Sequence, residues 1–334
     1  MRTNRIGKVF GVSCALLLCA LSGFATAEDQ AREVRGFSDV MIKDVQFWSD
    51  GTRLAGNVLY PKGHTASEKL PALVLCHGWG GTKAHLNGQI APSFARAGYV
   101  VFTFDYRGWG ESNSRLIIPG DMPKPDEDGN VTVKVLAVQQ LVDPLDQQED
   151  IDAAITFIEG EPGVDPNRIG IWGSSFGGGH VIWRAAHDSR VKCVLAQVGS
   201  MNSRSGLELD PGLDVIHANK IKRVRGELAP LPLDDDKPEG LTGSPYYERF
   251  VEFAPVEHAS KITVPVLIID AENEHYFDIK DHGGAVYAAL KGRVPTEYHV
   301  FEDIGHYDVY RGETLQKCLA LQIPWLDKYL KGAK

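Results

Sequence analysis

The sequence predicts an α/β protein with a mostly parallel sheet and helices on both faces. Three observations carry that expectation. Continuous apolar runs at Ala72–Cys76, Tyr99–Phe104 and Val264–Asp270 suit strands buried on both faces. Segments of helical period lie between them. The strand–helix alternation recurs from residue 72 to about 330, and crossover connections of that kind build a parallel sheet.

The elements follow in order. Arg2, Arg5 and Lys8 form a positive leader, Val12–Leu21 an apolar run, and Ala25-Thr26-Ala27 a small-residue cleavage site. That is a secretory signal peptide pattern, and the apolar run is short of the ~20 residues a membrane span needs. Residues 1–27 are expected to be removed. Residues 28–334 are expected to form one exported domain, periplasmic or extracellular. Val40–Trp48 and Arg53–Tyr60 flank the turn sequence Ser49-Asp50-Gly51-Thr52 and read as an antiparallel hairpin. A helix is expected over Ala84–Ala97, closed by Gly98. Residues 113–144, rich in Pro, Gly and acids, read as a surface insertion.

A second helix is expected from Asp146, where Ile151, Ala154, Ile155 and Ile158 make one apolar stripe, ended by Gly160 and Pro162. Arg168–Trp172 reads as a strand, Ser175–Ala186 as a helix and Val191–Val198 as a strand. Residues 199–255 break the alternation with Pro211, Pro230, Pro232, Pro238 and Pro245, the run Asp234-Asp235-Asp236, and helix-capable segments such as Asp214–Val224. So much irregular chain reads as a lid or binding insertion. Tyr246, Tyr247 and Phe250 are its candidates for lining a pocket or anchoring the insertion. Alternation resumes with a helix over Ile279–Lys291, a strand over Glu297–Phe301 and a closing helix over Gly312–Leu330, kinked or split at Pro324.

Chemistry concentrates in Gly173-Ser174-Ser175-Phe176-Gly177. A serine at a sharp strand-to-helix turn needs glycine at both flanks to relieve crowding, and the turn leaves its hydroxyl exposed at a helix N-terminus. Ser175 is the candidate nucleophile. A serine hydroxyl needs a base, and His306, after the last strand and before the last helix, is the best placed of eleven histidines. A carboxylate must orient that imidazole. Glu274, a few residues past a strand end, has the reach; Asp270 and Asp278 are the alternatives.

Donors for a developing oxyanion are expected from the Phe176 N–H and from the glycine-rich loop His77-Gly78-Trp79-Gly80-Gly81, with Trp79 N–H preferred and Gly78 as fallback. His77 is expected to hold that loop. In Asp105-Tyr106-Arg107-Gly108-Trp109-Gly110-Glu111-Ser112 an Asp105–Arg107 pair is expected to fix loop shape.

These motifs, with Asp150 leading into its helix and Val164-Asp165-Pro166-Asn167-Arg168-Ile169-Gly170, resemble the α/β-hydrolase superfamily over residues 40–331. The closer likeness is to the branch of dienelactone-hydrolase-like proteins, Xaa-Pro dipeptidyl peptidases and cocaine esterase. The resemblance implies an eight-stranded sheet and a Ser/acid/His triad with no metal or organic cofactor. The chain departs from it in three ways. Ser175 stands where dienelactone enzymes carry cysteine, Glu274 stands where Asp is commoner, and no stretch of the 334 residues reads as the separate jelly roll of the dipeptidyl peptidase relatives.

The expectation is therefore a serine hydrolase cleaving a small-molecule ester. A peptidase or amidase on the same triad, or an inactive hydrolase-fold binding protein, are the alternatives. The formal charge is −9, and loss of Arg2, Arg5 and Lys8 would bring it to −12. A field of that sign repels phosphate backbones, so nucleic acid is not expected as a partner. No membrane association is expected after cleavage of the leader. Cys76, Cys193 and Cys318 show neither a disulfide framework nor a zinc spacing.

Overall fold

A two-residue turn sets the first part of the sheet. Asp50 and Gly51 both take positive φ, 43° and 74°, the geometry that matches the twist of a hairpin. It joins β2 (Phe37–Ser49) to β3 (Thr52–Pro61) in register, Ser49 opposite Thr52 and Trp48 opposite Arg53. This computed structural model describes residues 31–204, 211–233 and 240–332. The expected leader, residues 1–27, and the Asp234-Asp235-Asp236 run lie outside the described residues.

The sheet continues through β4 (Leu70–Cys76), β5 (Val100–Phe104), β6 (Val164–Ser174), β7 (Val191–Gln197), β8 (Val266–Asn273) and β9 (Thr296–Gly305). With β1 (Arg32–Val34) at one edge, its spatial order is β1-β2-β3-β5-β4-β6-β7-β8-β9. The pairs β1/β2, β2/β3 and β3/β5 are antiparallel, and all pairs from β5/β4 onward are parallel. The expected eight strands become nine because β1 (Arg32–Val34) adds to the edge. Three residues are too few to show any period.

Side-chain alternation assigns the two layers. Val74, Ile171, Val194 and Ile268 face a core covered by α3 (Pro144–Glu159), α4 (Phe176–Ala185) and α6 (Gly283–Leu290). Their neighbours Leu73, Trp172, Leu195 and Leu267 face the opposite core, covered by α2 (Ile90–Arg96) and α7 (Gly312–Leu326). Burial on both faces explains the unbroken apolar runs. Asp143 caps α3 by accepting the N–H groups of Leu145 (3.0 Å) and Asp146 (3.2 Å), with Pro144 in the first turn. The helix therefore starts two residues before the expected Asp146.

Four other expectations need correction. The single helix over Ala84–Ala97 is two, α1 (Lys83–Asn87) and α2. A proline ring collides with the carbonyl four residues back, which for Pro92 is Gly88, and the chain breaks at Gly88-Gln89. The closing helix runs through Pro324 and passes into a wider π-helical turn, Asp327–Gly332. Burial of Leu319, Trp325 and Leu326 holds it in line. The helix expected over Ile279–Lys291 is confined to Gly283–Leu290, with His282 at its N-cap. Asp105 and Arg107 fix their loop but do not pair with each other. Asp105 accepts Lys83 N–H (2.7 Å) and Glu111 N–H (3.0 Å), while Arg107 grips buried Asp150 on α3 through Nη2 (2.7 Å) and Nε (2.9 Å).

The two irregular regions meet. Leu141–Val142 pairs in parallel with Ser244–Pro245, and Leu116–Ile117 pairs with Leu136–Ala137 on the exposed side. The region 199–255 contributes α5 (Leu213–Val224), close to the helix expected there, and shorter turns at Tyr247–Phe250 and Pro255–His258. Cys76, Cys193 and Cys318 are buried free thiols. Among the described residues no helix is long and apolar enough to cross a membrane.

Candidate active site

The chain leaves β4 toward β5 on one side, and later enters β6 on the other. Ligands of such sheets bind outside the carboxyl ends of strands at this switch, and Ser175 lies there, one residue past β6. Its backbone takes φ 59° and ψ −127°, a strained conformation for a side chain. The strain is held from three directions. Ser175 N–H donates to Gln197 O (3.0 Å), and Ser175 O accepts the N–H groups of Gly178 (2.9 Å) and Ser200 (3.0 Å). A Cβ on Gly173 would strike Gly177 O, and one on Gly177 would strike Cys76 O. Those contacts are the physical reason for glycine at both flanks.

The structure brings three predicted residues into one line. Ser175 Oγ lies 3.0 Å from His306 Nε2, and His306 Nδ1 lies 2.6 Å from Glu274 Oε2. The His306 and Glu274 side chains are 2% and 1% exposed, so water does not reach the link between them. Glu274 Oε1 accepts the N–H groups of His275 (2.9 Å) and Tyr276 (3.0 Å). Burial alone would raise this carboxyl. The hydrogen bonds from His306 and the two N–H groups outweigh it, and the pKa sits below the ordinary glutamate value. An ionised Glu274 requires a proton on His306 Nδ1, which leaves Nε2 free to accept from the serine hydroxyl.

The other acids stand elsewhere. Asp270, inside β8, is fully buried with neither oxygen at bonding geometry to a described partner, and burial pushes it up to about 7. Asp278 is exposed and accepts Lys280 N–H (2.9 Å).

The glycine loop passes against the serine: a Cβ on Gly78 would lie 2.7 Å from Ser175 Cβ. Among the described residues the N–H groups of Trp79 and Phe176 donate to no backbone carbonyl. His77 is buried, with Nδ1 2.9 Å from Gly78 O, and burial lowers its pKa to about 4. It is a neutral brace for the loop.

A cavity of about 1070 Å³ opens over Ser175 and His306. Phe250 stacks on Phe176 (5.4 Å, 19°) and reaches Trp79 (5.6 Å). Tyr247 and Phe250 line the cavity. Tyr246 instead packs against Val138, Leu141 and Leu231, joining the two inserted regions. Sequence reasoning missed the Tyr276–Tyr307 pair. Their hydroxyls meet at 2.7 Å, and both rings stand edge-on to the His306 ring at 5.0 Å. It also missed Thr242, whose carbonyl accepts Trp79 Nε1–H at 2.8 Å. Among the described residues no group of three or more His, Cys, Asp or Glu could hold a metal ion.

Residues 71–235 match the α/β-hydrolase fold family. An uncharacterized 31.7 kDa protein in the traX-finO intergenic region of Escherichia coli is 31% identical over 84% of this chain and 97% of its own. The chain belongs to the α/β-hydrolase superfamily. The quorum-quenching protein AidA of Acinetobacter baumannii is 27% identical to this hydrolase-fold chain over 85% of it and 94% of the relative. The crystal structure of the α/β hydrolase GrgF from Penicillium sp. sh18 superposes with a TM-score of 0.66 at 21% identity, over 87% of this chain and 99% of GrgF.

Proposed function

We propose that this superfamily member is an exported serine hydrolase that cleaves a carboxylic ester through an acyl-enzyme. The unbroken Ser175–His306–Glu274 hydrogen-bond chain at the floor of the cavity carries the reading. His306 Nε2 takes the Ser175 proton as Oγ attacks the ester carbonyl carbon. The carbonyl oxygen becomes an oxyanion facing the Phe176 and Trp79 N–H groups. The tetrahedral adduct collapses, the alkoxide leaves with the proton from His306, and the acyl group stays on Ser175. Water then attacks the acyl carbon, giving its proton to His306, and that proton returns to Ser175 as the acid departs. Glu274 stays ionised and stabilises the imidazolium formed at each transfer. The inserted segment 199–255 acts in this reading as the wall that chooses the substrate, through Tyr247 and Phe250, and 113–144 backs it through the Leu141–Val142 pairing with Ser244–Pro245 without lining the cavity.

The direct test is pre-steady-state hydrolysis of p-nitrophenyl acetate. A burst of p-nitrophenol equal to the enzyme concentration is expected. Turnover of the ester by Ser175→Ala at the wild-type rate would remove the proposal. Export is tested separately by N-terminal sequencing of the protein recovered outside the cytoplasm, which is expected to begin at Glu28.

A further inference from the structure

We infer that the ester carries a positive charge, an amine or quaternary ammonium, held at the end of the cavity formed by Tyr276, Phe277, Asp278 and Asp281. The inference rests on the reading of Ser175 as an acyl-transfer nucleophile, and it narrows the substrate class.

The first ground is charge. Among the described residues lining the cavity there is no Lys and no Arg, and the only carboxylates are Asp278 and Asp281. Neither carboxylate takes part in an ion pair among the described residues. The histidines do not compensate. Burial lowers His77 and His282 to about 4, leaving both neutral. His85 Nδ1 accepts Thr82 N–H at 3.1 Å, and His306 faces a third carboxylate, Glu274. A carboxylate or phosphate ester entering here would lose water and gain no counter-charge from the described lining, a costly transfer. An ammonium group gains two.

The second ground is the aromatic wall beside those carboxylates. Phe277 stacks flat on His282 at 4.2 Å and 9°, which fixes its ring. The Tyr276–Tyr307 hydroxyl bond fixes two more rings at the same mouth. Aromatic faces attract cations, and quaternary ammonium groups are recognised by such rings. Carboxylates and rigid rings on one loop therefore favour the same ligand charge. The chain's net charge of −9 adds a long-range field of the same sense.

The experiment separates this inference from the esterase reading. Three aryl methyl ketones differing only in the para group (trimethylammonio, tert-butyl or carboxylate) are titrated by calorimetry into Ser175→Ala protein. The three corresponding aryl acetates are turned over by wild type. The ammonium ketone is expected to bind about tenfold tighter than its neutral isostere, with the carboxylate weaker still. The preference should shrink in 0.5 M KCl, by screening of about the Debye kind. In Asp278→Asn/Asp281→Asn the ammonium-to-neutral ratio should approach one, with each single variant losing part of it. Equal binding of the three ketones, or a ratio that survives the double variant, overturns the inference. Charge-selective binding without turnover of any acetate would overturn the esterase reading and leave the charge inference standing. Turnover of all three acetates at equal kcat/KM would do the reverse.

Discussion

The two walls of the cavity are built by different means. One comes from strand ends. Ser175, Glu274 and His306 follow β6, β8 and β9, and hydrogen bonds of 2.6 to 3.0 Å hold them with their backbones pinned by the sheet. The other comes from the inserted segment 199–255 and the loop after Glu274. There Phe250 packs on Phe176 and Trp79, the Tyr276 and Tyr307 hydroxyls meet, and Tyr307 is half exposed. In the proposed reaction the sheet wall carries the proton transfers. In the same proposal the inserted wall determines what reaches it.

That contrast breaks in a definite order. Ser175→Ala should lower kcat for a simple aryl ester by about 10⁴-fold or more with KM little changed, read by steady-state kinetics on protein of unchanged Tm. Glu274→Gln should follow, lowering kcat by about 10³- to 10⁴-fold, because the amide no longer fixes the imidazole tautomer or balances its charge. Phe250→Ala, in the inserted wall, should instead raise KM several-fold. It should also cost about 3 kcal/mol of stability from the emptied contact with Phe176 and Trp79, measured by urea unfolding. A fall in kcat as deep as that of Glu274→Gln would blur the division between the walls.

The smallest effect concerns two acids four residues apart. Glu274 is held low by its hydrogen bonds, whereas burial holds Asp270 up to about 7. An unfolded aspartate ionises near ~3.9. Between those values the native state binds more protons than the unfolded state, so this group's contribution to stability falls as pH rises through that window. Asp270→Asn removes the loss. Its Tm relative to wild type should rise from pH 4.5 to pH 7.5 in a thermal melt. A difference independent of pH would mean that Asp270 is already ionised in the folded chain.

Much of the sheet wall was legible because its chemistry rests on local constraints. The glycines around Ser175 are demanded by backbone contacts with Gly177 and Cys76, and two-sided burial wrote the apolar runs. The acid was less legible. Asp270, Glu274 and Asp278 share one stretch, and which carboxylate meets the imidazole depends on the turn that points the His275 and Tyr276 N–H groups back onto Glu274. The Tyr276–Tyr307 contact joins loops 31 positions apart, and the Arg107–Asp150 pair joins a loop to a helix 43 positions on. No short-range pattern encodes either. The short β1 and the break before Pro92 show the same limit at the level of elements. The likeness to the dienelactone-hydrolase and Xaa-Pro dipeptidyl-peptidase branch stays an expectation from the motifs, inside a superfamily to which the chain belongs.

The proposed chemistry stands on Ser175 being an activated nucleophile. It is tested most directly by treating the folded protein with a fluorophosphonate probe and mapping the adduct by peptide mass spectrometry. One adduct per chain is expected, on Ser175, absent from Ser175→Ala. A folded wild-type protein that takes no label, or takes it on another residue, would contradict it.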